Sequence, residues 1–407
     1  MGLNSTPGAQ RVHIGIFGNT NAGKSSIVNA ITGQHLSIVS DVSGTTTDPV
    51  YKAMELLPLG PVMIIDTPGL DDTSELGKER IKKGFEIINK TDIALLVVDG
   101  TKALSENEKS LIARFKKDKI PFIVAINKCD LPDFDSKLII NQIKNSTPHI
   151  EVSADKSIKI HELKEMIAKL LPDNEPEFPL VKDLISEGDL VVLVVPIDSA
   201  APKGRLILPQ QQVIRDVLEA GAIPVVTRES ELTKTFESLS KKPSLVITDS
   251  QVFKYVSSVT PDDIILTSFS ILMARFKGNL EHAVMGAAAI ENLKDGDTIL
   301  ISEGCTHHRQ CDDIGTVKLP KWIKNYTNLN LSFEFTSGRD FPTDLSKYNM
   351  IVHCGACMLN EQEMKNRYKH AIEQNIPITN YGTMIAYING ILKRTLAPFP
   401  SLANLCK

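Results

Sequence analysis

The stretch Gly18-Asn19-Thr20-Asn21-Ala22-Gly23-Lys24-Ser25 decides the fold of the first part of this chain. It fits the pattern G-x-x-x-x-G-K-[ST], in which backbone N–H groups close around a phosphate. The apolar run Val12–Phe17 before it predicts a buried strand, and the run Ser25–Ile31 predicts a helix that leaves the loop. Because the N-terminus of a helix adds positive potential, the stretch indicates a phosphate site. We expect Lys24 to reach the β- and γ-phosphates and Ser25 to hold magnesium.

Composition limits the class of protein. The 407 residues predict two or three domains, and the net charge of -4 gives no bulk reason to expect a nucleic-acid partner. No apolar run approaches membrane-spanning length, and the N-terminus lacks a secretory pattern. We therefore expect a cytoplasmic protein with no membrane partner. Six cysteines do not make a disulfide scaffold, so clustered cysteines indicate a metal.

Two further segments predict a switch that responds to the γ-phosphate. Gly44-Thr45-Thr46-Thr47-Asp48 lies in a polar segment, where Thr46 can sense magnesium and the γ-phosphate. The apolar run Val62–Ile65 predicts a strand that ends in Asp66-Thr67-Pro68-Gly69. Asp66 can bind magnesium through water, and Gly69 can donate its N–H to the γ-phosphate.

A third segment indicates which nucleobase the site recognises. The apolar run Phe122–Ile126 predicts a strand that ends in Asn127-Lys128-Cys129-Asp130. The Asp130 carboxylate can accept hydrogen bonds from guanine N1–H and from the exocyclic amine, and adenine offers no such pair of donors. Ser153-Ala154 follows the predicted strand Ile150–Val152 and can supply a backbone N–H to guanine O6. Four elements in this order predict a GTPase that binds GTP and GDP.

The predicted site residues fall into two overlapping groups. Those expected to act in hydrolysis are Lys24, Asn21, Thr46, Asp66 and Gly69. Those expected to bind the nucleotide are Asn19, Thr20, Asn21, Ala22, Gly23, Lys24, Ser25, Ser26, Asp66, Gly69, Asn127, Lys128, Asp130, Ser153 and Ala154. Magnesium is expected at Ser25 and Thr46.

The runs Asn-Ala-Gly-Lys-Ser-Ser and Gly-Thr-Thr-x-Asp resemble those of the Era-like GTPases of the tRNA-modification type. The resemblance implies that Asn21 helps to bind a potassium ion beside the phosphates. Leu70 stands where Ras-type enzymes carry a glutamine that orients water. An apolar side chain cannot orient water, so we expect slow hydrolysis that depends on potassium or on an acid such as Asp71 or Asp72.

The middle of the chain predicts a second α/β domain. The segment Pro172–Pro179 contains three prolines and three acids, which is typical of a linker. After it, apolar runs alternate with helical patterns, and this alternation predicts a parallel sheet. The predicted strands are Leu190–Pro196, Ile223–Thr227 and Leu245–Asp249, and the predicted helices are Gln212–Ala220 and Leu232–Leu239. The segment carries no catalytic pattern, so we interpret it as an interaction or dimerisation module.

The last third contains two cysteine–histidine clusters. Glu303-Gly304-Cys305-Thr306-His307-His308 follows the predicted strand Asp297–Ser302, and His353-Cys354-Gly355-Ala356-Cys357 follows the predicted strand Asn349–Val352. In open parallel sheets, ligand crevices form at the carboxyl ends of the strands, so we expect the two clusters to converge.

The chemistry at these clusters has three interpretations. They are a structural zinc site, a redox dithiol and an iron–sulfur cluster held by three cysteines with one iron left open. Cys305, Cys354 and Cys357 are the predicted ligands, and His307 and His353 are candidates for a fourth ligand or for neighbours of the ligands. Cys311 could also substitute as a ligand.

The combination Cys-x-His, a gap and His-Cys-x-x-Cys behind an Era-like GTPase resembles the FeFe-hydrogenase maturation GTPases. The resemblance covers essentially the whole chain. It implies an Era-like GTPase domain at 1–172, a dimerisation domain at 180–266 and an iron–sulfur domain at 267–407, the last two being further α/β domains with parallel sheets. It also implies a 4Fe–4S cluster, a diiron precursor as cargo, a homodimer, apo FeFe-hydrogenase as recipient and two radical-SAM maturases as partners. The alternatives are a zinc-containing GTPase in RNA modification or ribosome assembly, and a purely structural C-terminal module.

Overall fold

The computed structural model describes residues 8–33, 50–57, 59–67, 84, 86–143, 147–170, 178–197, 206–304, 313–338 and 340–405. The chain divides into two compact units, Met1–Asn174 and Glu175–Lys407. The described part of the first unit has one six-stranded sheet, and that of the second unit has two four-stranded sheets. Within these sheets, the described strands pair in parallel except β2 and β3 at an edge of the first sheet. The α/β class predicted from the sequence, with a P-loop domain followed by two parallel sheets, is confirmed.

The sheet of the first unit has the strand order β2-β3-β1-β4-β5-β6, and β2 runs antiparallel to β3. Its strands are β1 (Val12–Phe17), β2 (Val50–Leu56), β3 (Gly60–Asp66), β4 (Ile93–Asp99), β5 (Phe122–Asn127) and β6 (His149–Glu151). Its helices are α1 (Lys24–Thr32), α2 (Glu106–Lys117), α3 (Lys137–Ile140) and α4 (Ile160–Leu170).

The central strands of this sheet are apolar on both faces. Leu95 and Val97 of β4 belong to one core cluster, whereas Leu96 and Val98 belong to the other. Because successive side chains of a strand point to opposite faces, a continuous apolar run suits a sheet that is covered on both sides. The functional loops are thus carried by strands that are anchored in two cores.

The second unit contains two parallel sheets, with strand orders β10-β9-β7-β8 and β12-β11-β13-β14. The first is formed by β7 (Leu190–Val194), β8 (Ile223–Thr227), β9 (Leu245–Thr248) and β10 (Ile265–Ser268), with helices α5 (Leu208–Glu219), α6 (Leu232–Ser238), α7 (Phe253–Val259) and α8 (Phe269–Phe276). The second is formed by β11 (Thr298–Ser302), β12 (Ser332–Thr336), β13 (Met350–His353) and β14 (Ile378–Asn380). Its helices are α9 (Leu280–Ala288), α10 (Leu319–Thr327), α11 (Glu361–Glu373), α12 (Tyr381–Ile388), α13 (Leu392–Thr395) and α14 (Pro400–Ala403), and a π-helical turn spans Ile314–Lys318.

One hydrophobic core joins the two sheets of this unit. It contains Val191 and Leu193 of β7 together with Ile299 and Ile301 of β11, and helices α8 and α9 contribute to it. Each sheet also has a smaller separate core on its other face. The two parallel sheets therefore share the apolar cluster that stabilises both.

Several predicted features lie outside the described residues. They are Thr46, Gly69, Leu70, Asp71, Asp72, Cys305, His307, His308, Cys311 and most of the predicted linker. Among the residues that the structure does describe, no helix is both long enough and apolar enough to cross a membrane.

Candidate functional site

The phosphate loop joins β1 to α1 in a conformation that few residues could adopt. Gly18 and Gly23 have φ angles of 142° and 93°, and Asn21 is left-handed with φ 61°. A Cβ at Gly23 would lie 2.2 Å from Asn127 Nδ2, so a larger residue would also collide with the neighbouring loop. Glycine at this position is therefore needed both for the backbone and for the space.

Lys24 lies at the start of α1 and is 8% exposed. Its Nζ donates to the carbonyl oxygens of Gly18 at 3.0 Å and Asn19 at 2.8 Å. The ammonium is thereby held over the loop that the pattern predicts to surround a phosphate. Thr20, Asn21 and Ser26 are exposed around the same loop.

Ser25 and Asp66, both predicted to lie near magnesium, are brought together. Ser25 Oγ donates to Asp66 Oδ2 at 3.4 Å. Burial raises the pKa of Asp66, and this effect is opposed by Lys24 and by the hydrogen bond from Ser25. Oδ1 of Asp66 is buried and has no hydrogen-bond partner among the described residues. A hydroxyl beside a buried carboxylate oxygen is a donor set that fits a hard divalent cation.

The predicted base-binding residues also converge. Asn127 is 3% exposed and bridges two loops: its Nδ2 donates to Ala22 O at 3.0 Å, and its Oδ1 accepts from Ala154 N at 3.1 Å. The N–H of Ala154, which belongs to the segment predicted to supply a backbone N–H to guanine O6, therefore donates to Asn127 in this structure. Asp130 is exposed, and a hydrogen bond from the buried Ser153 lowers its pKa, which favours the carboxylate.

Lys128 has a partner that the sequence patterns did not reveal. It is left-handed with φ 70°, and its Nζ donates to Asp99 Oδ2 at 2.6 Å. Burial opposes ionisation of Asp99, but the hydrogen bonds from Lys128 and Thr101 prevail and lower its pKa. The only sequence signal for Asp99 is its position as an acid directly after the apolar run of β4.

The cysteine loops lie at the carboxyl ends of β11 and β13, which are neighbours in the second sheet of the second unit. From β11 the chain continues to β12 on one side of the sheet, and from β13 it continues to β14 on the other side. In open α/β sheets, ligand crevices form at such a point between two strands. The N–H of Gly304 donates to Cys354 Sγ at 3.0 Å, and the N–H of Ala356 donates to the same sulfur at 3.3 Å. The chain segment just before Cys305 thus contacts Cys354, as the predicted convergence requires.

Cys354 and Cys357 lie close enough to influence each other electrostatically. Burial raises the pKa of the Cys357 thiol, Cys354 raises it further, and Lys277 opposes both effects. The described residues contain no group of three histidine, cysteine or acidic side chains that could hold a metal ion. Two thiols with N–H donors on one sulfur nevertheless fit an iron–sulfur cluster, whose ligand sulfurs accept hydrogen bonds.

His353 differs from the sequence prediction in its position. It is the last residue of β13 rather than the first residue of the loop, and it is fully buried. Its Nδ1 lies 2.9 Å from Cys354 O, and its Nε2 lies 2.9 Å from Arg367 Nη1. Because a guanidinium only donates, Nε2 accepts and Nδ1 carries the proton. Both ring nitrogens therefore have protein partners, an arrangement that suits a role behind the ligands.

Two buried cations near this loop escaped the sequence analysis. Arg367 on α11 is 4% exposed and donates to Glu363 Oε1 at 2.8 Å. Lys277, at the end of α8, is 7% exposed and donates to the carbonyl oxygens of Ala356 and Leu359. Glu363 and Arg367 have the spacing of a helical ion pair in the sequence. Nothing in the sequence indicates that Arg367 or Lys277 is buried.

Comparison with known proteins gives three domain matches along the chain. Residues 13–128 match the family described as 50S ribosome-binding GTPase, residues 180–278 match the hydrogen maturase F dimerization domain, and residues 281–398 match the hydrogen maturase F tetramerization domain. The two hydrogen maturase F matches together span more than half of the chain.

Each individual relative matches only part of the chain. The chain is 35% identical over 163 residues to the tRNA modification GTPase MnmE of Desulforamulus reducens, covering 39% of this chain and 34% of that protein. It is 36% identical over 178 residues to an uncharacterized protein of Methanocaldococcus jannaschii, covering 39% of this chain and 95% of that protein. A solved structure of Era with MgGDPNP and 16S ribosomal RNA nucleotides has 22% identity and a TM-score of 0.36, covering 53% of this chain and 91% of that one. The chain spans about a third of the length of the MnmE and Der relatives that it matches.

The phosphate loop, the Ser25–Asp66 pair and the matched GTPase domain define a P-loop GTPase. The two domains that follow it both match models of hydrogen maturase F. The chain belongs to the hydrogen maturase F family, the GTPases of hydrogenase maturation.

Proposed function

We propose that this protein is a magnesium-dependent GTPase that serves as a scaffold and carrier in the maturation of FeFe-hydrogenase. The observation that carries the proposal is the pair of sites on one chain: a nucleotide site at the carboxyl ends of β1, β3 and β5, and a pair of thiols at the carboxyl end of β13. Family membership supports the combination, because the domains behind the GTPase are those of hydrogen maturase F.

In the nucleotide site, the proposed reaction converts GTP to GDP and phosphate. Lys24 would bind the β- and γ-phosphates, Ser25 would hold magnesium, and Asp66 would reach the ion through water. The Ser25–Asp66 hydrogen bond and the orphaned Asp66 Oδ1 support this role. We assign Thr46 to the magnesium and the γ-phosphate, and Gly69 to the γ-phosphate, from the sequence alone. Bound magnesium would neutralise charge that develops on the phosphate oxygens.

Potassium is the proposed second cation, held with the help of Asn21. The left-handed Asn21 is exposed in the phosphate loop, three residues before Lys24, which we assign to the phosphates. A monovalent cation there would supply the stabilisation that an arginine finger supplies in other GTPases.

In the second unit, we propose that Cys305, Cys354 and Cys357 hold a 4Fe–4S cluster. Two N–H groups on Cys354 Sγ support this assignment, since cluster thiolates accept such bonds. A cluster held by three thiolates would leave one iron open to exchange, which is the property that a scaffold for a diiron precursor needs. His307 and His353 are proposed as a weakly held ligand and as a neighbour of the ligands, respectively.

The proposed partners follow from this role. They are apo FeFe-hydrogenase, which receives the precursor, and the two radical-SAM maturases that make it, all in the cytoplasm and without nucleic acid or membrane. A homodimer is proposed through the module at 180–266. Its edge strand β8 exposes Ile223 by 52% and Val226 by 49%, an apolar surface that suits an interface between two copies.

The test is anaerobic reconstitution with iron and sulfide, followed by iron analysis, EPR of the reduced protein and a GTPase assay. Cys305→Ala, Cys354→Ala and Cys357→Ala should each lose the cluster and the ability to activate hydrogenase, while GTP hydrolysis persists. His353→Ala should lose less of the cluster. Cys406→Ala is the matched control, because it removes a cysteine that lies outside both cysteine–histidine clusters in the sequence. A wild-type protein with stoichiometric zinc and no iron–sulfur EPR signal would instead favour the zinc-containing GTPase of RNA modification or ribosome assembly.

A further inference from the structure

Lys277 directly follows α8, which ends at Phe276. It lies within the segment that matches the dimerization domain, whereas Cys354 and Cys357 lie within the segment that matches the tetramerization domain. Its side chain is nevertheless buried against the turn that carries the two cysteines, where it donates to Ala356 O and, at 3.2 Å, to Leu359 O. The cysteine turn is thus contacted from a segment that belongs to another domain in sequence.

The turn itself has a backbone conformation that needs support. Ala356 is left-handed with φ 52°, a region that costs energy for any residue with a Cβ. This conformation lets the N–H of Ala356 donate to Cys354 Sγ at 3.3 Å. The carbonyl of the same residue accepts from Lys277 and also from the N–H of Leu359 at 3.2 Å. Lys277 therefore stabilises the residue whose strained geometry directs a hydrogen bond at the sulfur.

The ammonium of Lys277 is also not in direct contact with a carboxylate of the described residues. The side chain is 7% exposed, and among the described residues its Nζ contacts carbonyl oxygens and no carboxylate. A buried ammonium without a counter-ion is costly, so a negative charge nearby would be strongly stabilised. Burial lowers the pKa of Lys277, and the charges of Cys357 and Cys354, ahead of those of Glu361 and Glu363, oppose this effect.

We propose that Lys277 is a positioning residue of the iron–sulfur site, fixing the Cys354–Leu359 turn and supplying the positive charge that balances the thiolates. This rests on the proposed cluster, and it makes the site a joint product of both hydrogen maturase F domains. The charge of a cluster and the hydrogen bonds to its sulfurs set its reduction potential, so the residue should act on that quantity.

The first test needs no cluster. In the full-length apo-protein, hydrogen exchange at the turn 354–359 should be at least about tenfold faster in Lys277→Met, because hydrogen bonds from charged donors are among the stronger ones. Lys365→Met is the matched control, since it removes a nearby but exposed lysine. Protection of β7 reports on folding of the unit and should not change.

The second test uses the reconstituted protein. Lys277→Gln keeps a donor for the turn but loses the charge, so exchange should stay close to that of the wild type while the reduction potential of the cluster becomes more negative. Lys365→Met should leave the potential unchanged because water and salt screen an exposed charge. If Lys277→Met also loses protection of β7 from hydrogen exchange, the variant does not fold normally. The reduction potential of the cluster in Lys277→Gln then decides whether Lys277 acts on the site.

Two results would overturn the inference. One is a hydrogen-exchange rate at the turn 354–359 of Lys277→Met equal to that of the wild type, and the other is a reduction potential of the Lys277→Gln cluster equal to that of the wild type. A wild-type protein without an iron–sulfur signal would overturn the proposed cluster instead, and the exchange experiment would still decide whether Lys277 positions the turn.

Discussion

Replacing Arg367 with methionine should destabilise the second unit strongly. The guanidinium is 4% exposed and donates to Glu363 Oε1 at 2.8 Å, Gly338 O at 3.1 Å and His353 Nε2 at 2.9 Å. Methionine keeps much of the apolar volume but leaves the Glu363 carboxylate, which is 7% exposed, without its cation. Breaking a buried pair by removing one partner costs about 3–5 kcal/mol, because the other charge remains buried.

The single tryptophan of the chain makes this measurable. Trp322 lies on α10 and packs against the shared core of the second unit, so its fluorescence follows the unfolding of that unit. In urea, a loss of this size in the free energy of unfolding should lower the midpoint concentration of unfolding by about 1–2 M. Removing the stranded carboxylate as well, in Arg367→Met with Glu363→Leu, should recover at least about half of the loss in free energy of unfolding.

The matched control is Lys369→Met on the same helix. Its ammonium lies 4.0 Å from Glu373, and both side chains are exposed, so the expected change is below about 0.5 kcal/mol. A midpoint for Arg367→Met within error of this control would refute the reasoning, since it would mean that the buried network contributes no more than a surface pair.

Three other predictions concern the nucleotide and the assembly. Asp130→Asn should weaken GTP binding and favour xanthosine triphosphate, whose C2 carbonyl accepts a hydrogen bond; equal affinity of the wild type for ATP and GTP, measured by calorimetry, would contradict guanine specificity. GTP turnover should be much faster in potassium than in sodium, and Asn21→Ala should abolish the difference; identical wild-type rates in both salts would exclude the potassium site. Ile223→Lys on the edge strand should shift the protein to a smaller species in sedimentation, whereas Leu218→Lys, an equally exposed position on α5, should not; an unchanged species for Ile223→Lys would place the dimer contact elsewhere.

The elements that carry motifs could be predicted because their signals are local. The bounds of β1 and β8 match the predicted Val12–Phe17 and Ile223–Thr227, since each is a short run of residues with high strand propensity between turn signals. Strands β2 and β12 were not predicted: they are edge strands that leave many side chains in solvent, so their sequences carry little apolar pattern.

The environment of the cysteines could be predicted only in part. Convergence of the two loops follows from the general rule for parallel sheets, and the contact between Gly304 and Cys354 agrees with it. The predicted strand Asn349–Val352 ended one residue too early, because pairing of His353 with Asn380 of β14 extends β13 through the histidine. Lys277 and Arg367 were missed because their burial depends on helices packing from distant parts of the chain.

The core shared by the two sheets of the second unit has a practical consequence for anyone who cuts or exchanges its parts. The dimerization-domain match ends at residue 278 and the tetramerization-domain match begins at residue 281. These limits suggest cutting the chain between α8 and α9. Both helices contribute to the same apolar cluster, so either fragment would expose to water an apolar surface that is buried in the intact unit. Recombinant halves should therefore aggregate, and chimaeras with a relative should exchange residues 180–398 as one piece.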